Sequence, residues 1–200
     1  MPRIAEARPP AEPSSTEQRN RYGRILRAAA AHGTAHGFER VQMHEVAKDA
    51  GVAIATLYRY FPSKTHLFTA LMRAQVERLD DLAPHGSPEG DPAEAVADLL
   101  VRTGRRLLER PLLTQAMLLS NNASVSGEGP TGGVTTRFHA LIVKVAGLQN
   151  PSARDDQLIR ITEQAWYGIL TSALTGHVST DQASEDTILA CRRLLAGIGR

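Results

Sequence analysis

Four residues within seven positions, Tyr58, Arg59, Tyr60 and Lys64, combine two cations with two phenols. Guanidinium, ammonium and phenol hydrogens are all donors suited to phosphate oxygens. Aromatic residues are only 4% of this 200-residue chain, yet Tyr58, Tyr60, Phe61 and Phe68 fall close together. A packed core accounts for Phe61 and Phe68, which need no polar partner. The tips of Tyr58 and Tyr60 call for water or a polar ligand.

Charge follows the same segment. The formal net charge is only +2, but Ser15 to Lys64 holds eight Lys/Arg against four Asp/Glu, so this quarter carries +4 and the remainder −2. A basic head on a mildly acidic body is the expected footprint of a phosphate-binding surface, with a solvated basic face as the plainer alternative.

Other chemistry is sparse. His32 and His36 stand four apart, but no Cys or carboxylate set completes a metal site around them. "GEGPTGG" lacks the Lys-Ser/Thr of a phosphate-binding loop, and no Ser/His/Asp or Cys/His set has a suitable context. His139 and His177 read as pocket or surface histidines. The sequence therefore predicts a protein with no catalytic residues, metal or cofactor. Cys191 is alone, so no intramolecular disulfide forms, which fits a reducing cytoplasm. No apolar run approaches the ~18 residues of a membrane span, and no apolar stretch follows the first Arg as in a secretory signal.

What must position the tyrosines and cations is a set of helices. Residues 1–15, with four prolines, read as a disordered tail. Thr16 to His36 has Tyr22, Ile25, Leu26, Ala29 and Ala30 at helical spacing, and Gly37 should end it. "VQMHEVAKDAGV" reads as a short helix stopped by Gly51, and "AIATLYRYF" as a second one. Pro62 breaks the chain there, and Ser63 is placed to cap a helix from Lys64 to about Leu82. Two short helices joined at Gly51-Val52 form a helix-turn-helix pattern. Val46, Ala47, Ala50, Leu57 and Phe61 would face inward, leaving Ile54, Ala55, Thr56, Tyr58 and Arg59 for a major groove. After the Pro/Gly loop "APHGSPEGDP", five helical segments follow, near Pro92–Arg110, Leu112–Ser120, Thr135–Gly147, Asp155–Gly176 and Ala183–Gly197. Asn121–Gly133 reads as a long loop. The predicted fold is all-α with about nine helices: a helix-turn-helix domain over 16–64, a connecting helix over 65–82 and a larger helical domain over 83–200.

The stretch "GVAIATLYRYFPSKTHL" resembles the DNA-binding domain of the TetR family of bacterial repressors. Gly51, Val52, Thr56, Leu57, Tyr58, Tyr60, Phe61, Ser63, Lys64 and Leu67 match its usual run. Ala53 departs from a capping Ser, Ala55 from a Gly and Thr65 from a Glu. The resemblance implies that Gln42, His44, Ile54, Ala55 and Thr56 reach bases while Tyr58, Arg59, Tyr60 and Lys64 hold the DNA backbone. "RPLLTQAML" is similar to the branch of this family that represses cholesterol catabolism in actinobacteria. That implies a homodimer, joined through the last two helices, on a palindromic operator in double-stranded DNA. It also implies release by a small apolar effector, a steroid or a fatty acyl thioester. Leu99, Thr103, Leu107, Leu113, Met117, Phe138, Ile142, Trp166 and Leu170 share helix faces in pairs and triplets and would line the effector cavity. The same residues could be ordinary core. A constitutive DNA-binding protein with a filled body, or a helical enzyme or carrier, therefore remains open at this point.

Overall fold

The computed structural model describes residues 10–82, 90–125 and 132–199. Nine α-helices and no strand are present among the described residues. In chain order they are α1 (Thr16–Arg40), α2 (Met43–Asp49), α3 (Ile54–Tyr60), α4 (Lys64–Leu82), α5 (Pro92–Leu108), α6 (Pro111–Val125), α7 (Gly132–Val145), α8 (Ala153–Leu174) and α9 (Thr180–Leu194).

Local chemistry sets the ends. Ser15 caps α1 by accepting from the Gln18 amide. Gly37 interrupts that helix at φ 69°, ψ 176°, and a further turn of helix runs on to Arg40 beyond the expected stop. Gly51 closes α2 in the left-handed region at φ 64°; its amide bonds to the Lys48 carbonyl and that of Val52 to the Ala47 carbonyl. Ala53 begins α3 with no side-chain cap, as its methyl dictates. Ser63 Oγ accepts from the His66 amide at 3.3 Å, capping α4 as its type predicts. Of the segment expected to be tail, residues 10–15 are described, and the Ala11 amide donates to the Arg59 carbonyl at 3.0 Å. The expected loop Asn121–Gly133 is helical at both edges: Asn121–Val125 extends α6, and Gly132 and Gly133 open α7. Its centre, 126–131, lies outside the described residues, as do 83–89 of the Pro/Gly loop.

Two hydrophobic cores form. The first gathers Ile25, Val46, Leu57, Phe61 and Phe68 from α1–α4 with Leu113, Ala116 and Met117 of α6. Burying each such large side chain contributes about 1.5–3 kcal/mol. The second gathers α5, α7, α8 and α9 around Leu100, Ile142, Ile159, Cys191 and Leu195. Burial pushes the Cys191 thiol up to about 11, with the Glu94 charge adding to it. At Gly33, α1 packs tightly against α4 and α6: a Cβ there would stand 2.7 Å from the Phe68 ring and 2.8 Å from Leu113. Ser152 and Asp155 form a reciprocal capping box at the start of α8, and Asp155 also accepts from the Gly199 amide at 3.1 Å. The Ser152 hydroxyl first, then these amides, hold the Asp155 carboxyl below its ordinary range. Among the described residues no helix is long and apolar enough to cross a membrane.

Candidate nucleic-acid interface and ligand cavity

The helix-turn-helix is fastened from outside as well as from its core. Arg24 Nε donates to the Ala50 carbonyl at 3.0 Å, and His32 Nε2 lies 2.8 Å from Asp49 Oδ2, so α1 grips the end of α2 twice. With Leu57 at 0% exposure holding α3 down, Ile54, Ala55, Tyr58 and Arg59 stand exposed on its outer side and Thr56 is half-buried. Gln42 and His44, at the start of α2, are exposed as well. These exposed positions lie at the start of α2 and along α3.

Two expected backbone contacts are placed differently. Tyr60 is only 4% exposed, its ring edge-on to Tyr22 at 5.7 Å with Phe61 beside both. It belongs to the core, because a residue two positions from an exposed Tyr58 points to the opposite side of a helix. Burial also raises the Tyr22 phenol pKa, partly countered by the Arg73 charge. Lys64 turns inward: Nζ donates to the carbonyls of Phe38 (2.8 Å) and Glu39 (3.1 Å) and sits 4.9 Å over the Phe38 ring. The final carbonyls of a helix lack intrahelical partners and favour a cation, so this lysine ties the start of α4 to the end of α1.

In the body, α4, α5, α6, α7 and α8 line a mainly apolar, partly open cavity of about 360 Å³. Thr103, Leu107, Met117, Phe138, Trp166 and Leu170 line it, six of the nine residues expected to do so. Leu113 lines an adjoining cleft and packs against Gly33, while Leu99 and Ile142 are consumed in the second core. Helical periodicity identifies buried faces; it does not say which buried face borders a void. Phe138 and Trp166 stack along one wall with centroids 5.4 Å apart.

Sequence reasoning missed Met72, Val76, Leu118, Asn121, Val134, Glu163 and Tyr167 in this lining. A signal existed for α8, since Glu163, Trp166, Tyr167 and Leu170 follow the i, i+3, i+4, i+7 spacing of one helix face. Burial raises the Glu163 carboxyl above its ordinary 4.5, opposed by His139, whose Nδ1 lies 3.3 Å from Glu163 Oε1. His139 Nε2 lies 3.4 Å from Asp156 Oδ1. The adjoining cleft, also about 360 Å³, shares Thr103, Leu107 and Met117 with the cavity and carries Arg78, Arg106 and Arg110 alongside Glu109. A further cleft of about 580 Å³ against α1 adds Arg27 to Arg78 and Arg110. None of these four guanidinium groups is ion-paired among the described residues.

Comparison with known proteins bears on both halves. Residues 25–71 match the family described as bacterial regulatory proteins, tetR family, and residues 90–194 match a tetracyclin repressor-like C-terminal domain. The HTH-type transcriptional repressor KstR of Mycolicibacterium smegmatis is 32% identical over 186 residues, spanning 92% of this chain and 91% of that protein. A crystal structure of a TetR transcriptional regulator from Rhodococcus sp. RHA1 superposes with a TM-score of 0.83 at 43% identity, covering 92% of this chain and 100% of that one. The fold is shared more distantly with Thermus thermophilus FadR, a TetR-family repressor crystallised with lauroyl-CoA: TM-score 0.58, 19% identity, 88% of this chain and 94% of that one.

Proposed function

This chain belongs to the TetR family of bacterial transcriptional regulators, and on that premise we propose a dimeric, KstR-like repressor that leaves a palindromic operator when an acyl thioester occupies its cavity. Members of the family regulate transcription and are not enzymes. The observation that carries the reading is the double position of α6. Leu113, Ala116 and Met117 pack in the core of the DNA-binding domain, while Thr114, Met117, Leu118 and Asn121 of the same helix line the cavity. A ligand that shifts α6 must disturb α1 and α4.

The outward residues Gln42, His44, Ile54, Ala55, Thr56, Tyr58 and Arg59 are the proposed DNA contacts, with Lys64 offering at most its remaining N–H to a phosphate. A dimer reads half-sites about one turn, ~34–36 Å, apart, so tilting α4 by way of α6 would misalign one half-site. Release by ~100-fold needs about 2.7 kcal/mol of differential affinity between the two forms.

For the effector, an apolar cavity suits a steroid or long acyl tail, and the unpaired Arg78, Arg106 and Arg110 beside it suit a phosphate-bearing head. The lauroyl-CoA complex of T. thermophilus FadR supports this ligand class. The test is to select operator fragments from the protein's own genome, then titrate the complex with acyl-CoA and steroid-CoA thioesters. Loss of retardation together with a change in Trp166 fluorescence is expected. If neither signal moves across the panel, the effector reading is wrong.

A further inference from the structure

The cleft of about 580 Å³ against α1 differs in kind from the apolar cavity. Small side chains shape it, among them Ala30, Ala31 and Ala35 of α1 and Ala74 of α4. Arg27 of α1, Arg78 of α4 and Arg110 at the entrance to α6 line it too, and no carboxylate is among the described residues that do. Elsewhere in this chain Arg21, Arg102, Arg105, Arg137 and Arg192 each hold a carboxylate. Three guanidinium groups left at one cleft without a counter-charge repel one another. Their forked donors are free for an anion.

The cleft is also connected. Gln75 lines it, the adjoining cleft and the apolar cavity alike, while Arg78 and Arg110 line both clefts. The three spaces therefore adjoin in series. An elongated ligand with its apolar end beside Phe138 and Trp166 can extend its other end toward α1.

Guanidinium forks match phosphate oxygens bidentately. A lone phosphate or carboxylate would leave most of the 580 Å³ unfilled, whereas a nucleotide adds a flat ring that small apolar side chains can cover. We propose that this cleft binds the phosphorylated nucleoside end of the effector, with Arg27, Arg78 and Arg110 on its phosphates. The inference rests on the effector reading above and deepens it by bringing in α1. Arg27 lies within the match to the DNA-binding family, so the bound ligand ties reading head to body directly. It also assigns one cation of the basic first quarter to the effector instead of the operator.

The test uses full-length protein and calorimetry with adenosine 3′,5′-bisphosphate, lauroyl-CoA, cholanoyl-CoA and the pantetheine thioesters of the same two acids. Each is titrated into the native chain and into Arg27→Ala, Arg78→Ala and Arg110→Ala. These arginines are exposed and unpaired, so the melting temperatures should not move. The bisphosphate should bind by itself, more weakly at high salt. At least one CoA thioester should bind about tenfold or more tighter than its pantetheine counterpart, as a charge-assisted contact to phosphate would give. Both signals should shrink in the three variants while the pantetheine thioesters bind as before, and either one lost in Arg27→Ala sustains the inference. If neither signal appears, or neither responds to any of the substitutions, the inference is overturned; thioesters that still bind then leave the effector reading standing. Arginine-dependent binding of the bisphosphate with no thioester bound keeps the nucleotide site and overturns the effector reading. Failure of every compound to bind overturns both.

Discussion

Tyr58 and Tyr60 look equivalent in the sequence, yet one is 47% exposed and the other 4%. Tyr60→Ala should destabilise the protein by about 3 kcal/mol or more, as emptying an aromatic site in a core does, which a denaturant melt would record. Tyr58→Ala should leave the melt within about 0.5 kcal/mol while weakening operator binding in a retardation assay; unchanged affinity would remove Tyr58 from the interface. The two-residue spacing carried this distinction from the start, because a helix cannot turn both rings to one side. Glu163 was less legible. Its place on the Trp166 face is a matter of spacing, but its burial depends on helices distant in sequence. Its folded pKa is raised, so it contributes stability that is present below the ordinary 4.5 and lost as pH rises through the folded value. Glu163→Gln lacks that loss. The melting temperature of Glu163→Gln minus that of the native chain should therefore be more positive at pH 7 than at pH 4, and a flat difference would show that Glu163 ionises freely.

At the scale of elements, α6 has two jobs on two faces, and only one of them was readable in advance. Leu113 and Met117 announce an apolar face; that this face enters the core under α1 and α4 is a long-range fact. The small side chain at Gly33 makes the approach possible. Gly33→Ala would drive a methyl into Phe68 and Leu113, and overpacking of this kind costs about 1–3 kcal/mol. The wedge pushes on α4 and α6 together, so the variant should also bind operator more weakly before any effector is added. Operator affinity unchanged in a folded Gly33→Ala protein would show that the α1–α4–α6 junction does not communicate with the reading helices. Helix ends were legible where a residue has a strong local preference, as at Gly51 and Ser63, whereas Gly37 marks a break after which α1 resumes to Arg40. They were not legible at Asn121–Val125, where a run that mixes Asn, Ser and Val with Ala123 continues α6 and Asn121 lines the cavity.

For the whole molecule, the asymmetry of charge sets the expected response to salt. Operator affinity should fall steeply with ionic strength as phosphates shed counterions to the basic first quarter of the chain. Arg59→Ala should reduce the log–log slope by about one unit without altering the melt. Lys64→Met should do the reverse, lowering the melting temperature through the lost tie to Phe38 and Glu39 while changing the slope little. The overall plan, a helical reading head on a larger helical body, followed from periodicity and charge; the seam between them did not. Family matches stop at residue 71 and resume at residue 90, as though two modules had been joined. Packing has no such gap, since Leu112 and Leu113 of the body rest against Gly37 and Gly33 of the head. Heads are thus not freely interchangeable among relatives. A mosaic gene spliced after residue 82 would bring a foreign α1 against this α6, so viable recombinants should be those that inherit both helices from one parent.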